Sequence, residues 1–235
     1  PAHDFAWCVP IGTQCLHAAG AALAYKIRKE PRVAVSVVGD GGPSKGDFYG
    51  AINVAGAMQL PLVTVIVNNQ WAISVPRRMQ TGAQTLAQKG IAAGIESVQV
   101  DGNDLIAMRA VLDHALKRAR HGHGPTLIEA VTYRLSDHTT ADDARRYRDE
   151  AEVKAAWARE PLSRLRKYLA GIGAWDDARE EAWKAECGLR VDEEINAYLN
   201  TPVQPVEAMF DYLYADPPPD LLEQRAAALA LEGRS

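Results

Sequence analysis

Two short runs, residues 33–38 (VAVSVV) and 62–67 (LVTVIV), are rich in β-branched side chains and bounded by turn-forming residues, the pattern of strands buried inside a parallel sheet. Residues 97–100 and 125–133 read as two further strands. Between the strands the spacing turns helical, with apolar or small side chains at three- and four-residue intervals over residues 13–29, 47–58 and 104–120. Strands and helices therefore alternate through residue 150, which defines the class as α/β, a mostly parallel sheet with helices on both faces. Residues 1–12 read as an irregular lead-in, and 76–94 as a loop with a short helix. Beyond residue 150 the pattern is helical alone. Its clearest helices are 161–169 and 175–199, followed by breaks at Thr201-Pro202 and Pro205, a segment at 206–213 and a closing helix after Pro217-Pro218-Pro219. Residues 1–150 are expected to form the α/β domain, and 151–235 a helical extension packed on it.

Each of the first two strands ends in a polar signature, Gly39-Asp40-Gly41 and Asn68-Asn69. In a parallel sheet both would lie at carboxyl ends, where open α/β folds bind their ligands. Gly39, Gly41 and Gly42 lack Cβ atoms, so a phosphate can approach the backbone closely. The helix that follows would point its positive end at the same place. Asp40 is the one hard anionic ligand among these glycines. Magnesium takes oxygen donors in an octahedron and usually keeps substrate phosphates in its shell, so one carboxylate, one amide oxygen and one main-chain carbonyl suffice from the protein. Asp40, Asn69 and the Trp71 carbonyl form such a set, and their separation of about thirty residues is the length of a βαβ unit, which brings neighbouring strand ends together.

Other polar residues have plainer readings. His17 reads as a packing residue of the first helix, and His121-Gly122-His123 as a turn. Arg145, Arg146 and Arg148, set among Asp142, Asp143, Asp149 and Glu150, read as a solvated loop. A net charge of -4 argues against a nucleic-acid surface. No apolar run is long enough to span a bilayer. The 3 cysteines have no metal-ligand spacing and suit a reducing cytoplasm, the expected location.

The run GDGGPSKGDFYGAINVAGAMQLPLVTVIVNNQWAISVPR, residues 39–77, resembles the thiamine diphosphate motif of the α subunits of 2-oxo acid dehydrogenases, most closely the pyruvate type. The likeness continues through PIGTQ (10–14), TLAQKGIAAGI (85–95), VDGND (100–104) and LIEAVTYRLSDHTTADDARRYR (127–148). The resemblance implies thiamine diphosphate and Mg2+ as cofactors, with Asp40, Asn69 and Trp71 on the metal and Gly41 and Gly42 at the diphosphate. It also implies that Ile11 supports the bent cofactor and that His138 is the catalytic histidine. His138 lies in a loop where Tyr133, Arg134, Thr139, Asp142, Tyr147 and Arg148 match as well. The implied reaction is oxidative decarboxylation of pyruvate, with a branched-chain 2-oxo acid or acetoin enzyme as the alternative, and transfer of the acyl group to the lipoyl domain of a dihydrolipoyl acyltransferase. Val67 stands where some branched-chain relatives have arginine, which favours the pyruvate type. Activation of the cofactor needs a glutamate that related enzymes carry on their β subunit. Glu30, Glu96 and Glu129 here read as a helix end, a turn and a strand residue, so the chain is expected to be half of an active site in an α2β2 heterotetramer. Family members carry a long amino-terminal region, including a Tyr-Arg pair that helps hold the diphosphate, and the resemblance implies that this chain is a fragment. A reading from another class, a non-catalytic phosphate-binding or scaffolding chain, stays open.

Overall fold

In the computed structural model, residues 4–5 and 8–232 are described. The chain divides into two compact units between Ala174 and Trp175. In the first unit, helix α1 (Thr13–Arg28) leads into strand β1 (Ala34–Gly39), helix α2 (Gly46–Ala57) and strand β2 (Leu62–Asn68). A hairpin of two-residue strands, β3 (Trp71–Ala72) and β4 (Val75–Pro76), comes next, followed by the short helix α3 (Arg77–Gln80) and a 3₁₀ segment (Ala87–Ala93). Strand β5 (Glu96–Asp101), helix α4 (Leu105–Arg120) and strand β6 (Thr126–Val131) complete the sheet, and helices α5 (Glu150–Trp157) and α6 (Pro161–Gly171) close the unit.

The sheet runs β1-β2-β6-β5 with every neighbour parallel. Its register pairs Gly39 with Val67, Asn68 with Val131, and Asp101 with Val131. Asp40, Asn69, Gly102 and Thr132 therefore sit just beyond one carboxyl edge. β2 and β6 are central and almost wholly buried, which fits their mostly apolar sequences, broken by the buried Thr64, Thr126 and Glu129.

Helices cover both faces. On one, the small side chains Ala18, Ala19 and Ala22 of α1 and Ala51 and Ala55 of α2 share a core with Ala34, Val38, Leu62, Ile66 and Leu127. On the other, Ala115 and Ala119 of α4 meet Val63, Val65, Ile128 and Ala130. Asp104 starts α4 by accepting the Ile106 and Ala107 N–H groups, both at 3.0 Å. Arg164 of α6 reaches back to Asp101 at 2.7 Å and Asp104 at 3.3 Å. His17, expected to pack inside, is exposed on α1.

The second unit contains helix α7 (Asp177–Leu199), a 3₁₀ turn (Val206–Met209) and helix α8 (Pro219–Glu232), with an Arg225–Asp211 ion pair at 3.6 Å. No helix among the described residues is long and apolar enough to cross a membrane.

Candidate functional site

Asp40 is the first residue past β1 and is 1% exposed. Its Oδ2 accepts a hydrogen bond from Gln80 Nε2 at 2.7 Å. Burial pushes its pKa up, and the Gln80 bond and the charges of Arg77 and Arg134 pull partly back. The glycines after it are required by close approach. A Cβ on Gly41 would lie 2.8 Å from Ala72 Cβ, and one on Gly42 would lie 2.1 Å from Val38 Cγ2 and 3.5 Å from Ile11 Cγ2. Ile11 thus lines the turn, with its own side chain half exposed. Behind the turn, the buried Lys89 donates to the Pro43 carbonyl at 3.0 Å and to the Tyr49 hydroxyl at 2.6 Å.

Past β2 the chain turns sharply. Gln70 adopts φ 74 and Ile73, at the tip of the β3–β4 hairpin, φ 56. A β-branched residue in the left-handed region is strained and needs outside support. Arg134 supplies it, donating to the Ile73 carbonyl at 2.8 Å and to the Trp71 carbonyl at 3.4 Å. Asn69 Oδ1 accepts the Trp71 N–H at 3.1 Å. The same Arg134 guanidinium stands 3.4 Å from His138 Nδ1 and donates to the Tyr147 hydroxyl at 2.9 Å. Tyr147 in turn donates to Asp142 Oδ2 at 2.5 Å, and that oxygen also accepts the His138 N–H at 2.9 Å. One arginine thereby links the hairpin that presents the Trp71 carbonyl to the loop that presents His138.

Arg148 corrects an expectation. It does not sit in a solvated loop; it is buried and donates to the carbonyls of Arg134, Leu135 and Ser136. Its neighbour Arg145 does stay exposed, paired with Asp143 at 2.8 Å.

The structure sets Asp40, Gly41 and Gly42 on one turn, with Ile11 from the segment before α1 packed against it, and Asn69 and Trp71 on the adjacent loop. Gln80 ties the turn to the hairpin, donating to Asp40 and to the Val75 carbonyl at 3.1 Å, and Arg134 ties the hairpin to His138. Gln80 was invisible in the sequence, where it is one polar residue in a loop. Arg134 was visible only through the likeness of its segment. A divalent ion suits the donor set of carboxyl, amide and carbonyl oxygens, all hard. Among the described residues no three His, Cys, Asp or Glu side chains gather into a metal-holding group. Gln80 Oε1 and Arg134 Nε are buried with no hydrogen-bond partner among the described residues, as polar groups beside a ligand can be.

The Tyr147 hydroxyl bond and the His138 N–H hold the Asp142 carboxyl below its ordinary pKa. Its contribution to loop order is therefore complete above the unfolded-state pKa of aspartate and is lost as pH falls through the lowered value. Tyr147→Phe removes the hydroxyl at the centre of this chain of bonds. We expect proteolysis within residues 135–147 to accelerate several-fold, with the melting temperature lowered by only a few degrees. Unchanged cleavage would mean that the hydroxyl does not hold the loop.

A glycine turn and an asparagine loop at adjacent carboxyl ends, with Gln80 joining the turn to the hairpin that follows the loop, define a parallel α/β protein with a candidate phosphate and divalent-ion site. The chain belongs to the dehydrogenase E1 component family, whose model matches residues 7–207. It is 46% identical over 217 residues to the 3-methyl-2-oxobutanoate dehydrogenase subunit alpha of Mycobacterium tuberculosis, covering 92% of this chain and 59% of that protein. It is 42% identical over 224 residues to the pyruvate dehydrogenase E1 component subunit alpha of Acholeplasma laidlawii (91% and 63%), and 45% identical over 215 residues to that of Staphylococcus aureus (91% and 58%). The chain thus spans about three-fifths of the length of these curated relatives. Among solved structures, a putative thiamin diphosphate-dependent enzyme from Mycobacterium smegmatis aligns with a TM-score of 0.43 at 26% identity, over 53% of this chain and 22% of that one.

Proposed function

We propose that this chain is the α-subunit portion of a 2-oxo acid dehydrogenase that holds Mg2+ and thiamine diphosphate at the β1 and β2 strand ends and acts on pyruvate. The observation that supports the reading is that Asp40 and Asn69 directly follow paired parallel strands, with Trp71 two residues further on, beside a glycine turn whose close contacts leave no room for a Cβ. Asp40, Asn69 and the Trp71 carbonyl would hold the ion, while Gly41 and Gly42 would admit the diphosphate. When bound, thiamine diphosphate supplies the electron sink for decarboxylation.

The chain's own residues do the rest. Ile11 packs beside the glycine turn and would support the cofactor's bend. Arg134 occupies the Nδ1 side of His138, which leaves Nε2 as the ring nitrogen free to take or give a proton at the substrate. Arg134 also brings positive charge to the place where phosphate and carboxylate negative charge would collect. The carboxyl group that activates the cofactor would come from a β subunit in an α2β2 assembly, and the acyl group would pass to a lipoyl domain. Curated relatives of both substrate types match at similar identity. Val67 supports pyruvate, because it brings no side-chain charge toward the phosphates.

Calorimetric titration with thiamine diphosphate, with and without Mg2+, tests the site. Saturable binding that requires the ion is expected, and equal binding of an adenine nucleotide would favour a generic phosphate-binding chain instead. A panel of 2-oxo acids offered to the complete enzyme tests the substrate, and faster turnover of branched-chain acids than of pyruvate would overturn that part.

A further inference from the structure

Glu129, an unremarkable strand residue by its sequence, sits near the middle of β6, wholly buried at 0% exposure. Both of its oxygens accept hydrogen bonds. Oε1 takes the Asn68 side-chain amide at 2.6 Å, and Oε2 takes the Ala87 N–H at 2.9 Å. With Glu129 taking a donor on each oxygen, the Asn68 amide nitrogen points at Glu129 and its oxygen points away. That oxygen braces the next turn, alongside the backbone bonds from Arg77 to the Gln70 carbonyl and from Arg134 to the Asn69 carbonyl. Asn68 Oδ1 accepts from Gln70 Nε2 at 3.0 Å and from Gln70 N at 3.3 Å, at the residue whose backbone is in the left-handed region. Asn69 and Trp71 flank Gln70, so its backbone angles set the directions of the Asn69 side chain and the Trp71 carbonyl.

We propose that Glu129 is a positioning residue for the ion site: by dictating which atom of Asn68 faces Gln70, it holds the turn that aims the Asn69 and Trp71 oxygens. The effect on the ion rests on the functional reading above, whereas the effect on the turn does not. The chemistry supplies a specific substitution pair. In Glu129→Gln one of the two donors meets an NH2 group. If Asn68 rotates to relieve that clash, its nitrogen then faces the donors of Gln70 and the turn loses its support. Asn68→Asp alone sets two acid groups against each other. Combined, Asn68→Asp with Glu129→Gln satisfies every group again, since the glutamine NH2 donates to the aspartate, the glutamine oxygen accepts from Ala87, and the second aspartate oxygen accepts from Gln70.

Two readouts on the full chain, in whatever complex it purifies with, decide the matter. Mg2+ titration at saturating thiamine diphosphate is expected to show affinity about tenfold weaker or more in each single variant, and within about threefold of wild type in the double, following the usual size of supporting-residue effects. Hydrogen exchange at the Gln70 and Trp71 amides, measured without ligand, is expected to accelerate in the single variants and return in the double. Wild-type exchange in Glu129→Gln overturns the proposal, as does a double variant no better than the worse single. If a single variant does not fold, the double alone decides by the same exchange, and fast Gln70 exchange there overturns the proposal. Wild-type protein that binds no Mg2+ sinks the functional reading, and the exchange result then still decides the role of Glu129.

Discussion

Asp40→Asn is expected to abolish Mg2+-dependent cofactor binding and, in metal-free protein, to raise the melting temperature. The two effects share a cause. Asp40 is buried at a strand end where the charged form is costly, which is why its pKa is raised despite the Gln80 bond and the nearby arginines. A carboxyl whose folded pKa lies above its unfolded value binds more protons in the folded state. Stability of the metal-free wild type is therefore highest in acid, falls as pH rises through the unfolded and then the folded value, and carries the full penalty above both. Asparagine keeps an acceptor for Gln80 and never ionises, so its advantage should be largest near neutral pH and should shrink on acidification. An amide is a far poorer magnesium ligand than a carboxylate, and losing a direct ligand should cost at least the roughly 100-fold that supporting residues reach. Thermal melts at several pH values beside Mg2+ titrations check both halves. Retained affinity would remove Asp40 from the ion site. A lower melting temperature would show that the carboxyl–Gln80 bond outweighs the burial penalty, against the direction of its pKa.

The second large effect is Gly56→Ala. A glycine inside a helix is ordinarily a weakness, and alanine in its place should stabilise by up to about 1 kcal/mol. Here the sign reverses. A Cβ on Gly56 would stand 1.8 Å from the Ala93 carbonyl oxygen and 3.0 Å from its carbon. The obstacle is backbone, fixed by a turn at Gly94 with φ 65, so it cannot yield as a side-chain tip would. Overpacking of this kind should cost about 3 kcal/mol and lower the melting temperature by roughly 6–12 °C. Gly50, on the same helix, is the internal control. Its nearest neighbour would be Leu16 Cδ2 at 3.9 Å, so Gly50→Ala should be neutral or stabilising by about 0.5–1 kcal/mol. Equal effects at the two sites, read by denaturant or thermal unfolding, would refute the packing argument.

Much of the chain's organisation was open to reading residue by residue. The β-branched run at 62–67 corresponds to β2, which is buried on both faces, whereas the run at 33–38 forms β1 with one face open, Val35 and Val37 being 51% and 56% exposed, because β1 is an edge strand of the sheet. Asp104 starts α4 by the local geometry of a cap. The β3–β4 hairpin escaped notice because two-residue strands have no period to detect. The candidate ligands Asp40 and Asn69 were legible because each directly follows a strand end, and parallel pairing of adjacent strands carries such positions to one edge.

What local pattern determined, then, was which segments become strand or helix and which polar residues stand at the strand ends, since both depend on neighbours close along the chain. Tertiary structure alone decided that Gly56 is a contact point rather than a weakness, that Arg148 lies inside, that Gln80 reaches Asp40, and that Glu129 steers Asn68. Each of these depends on an atom from a residue tens of positions away or from a separate element, at a distance of about 3 Å or less, where exchanging a methyl for a hydrogen, or an amide for a carboxyl, changes the sign of the interaction.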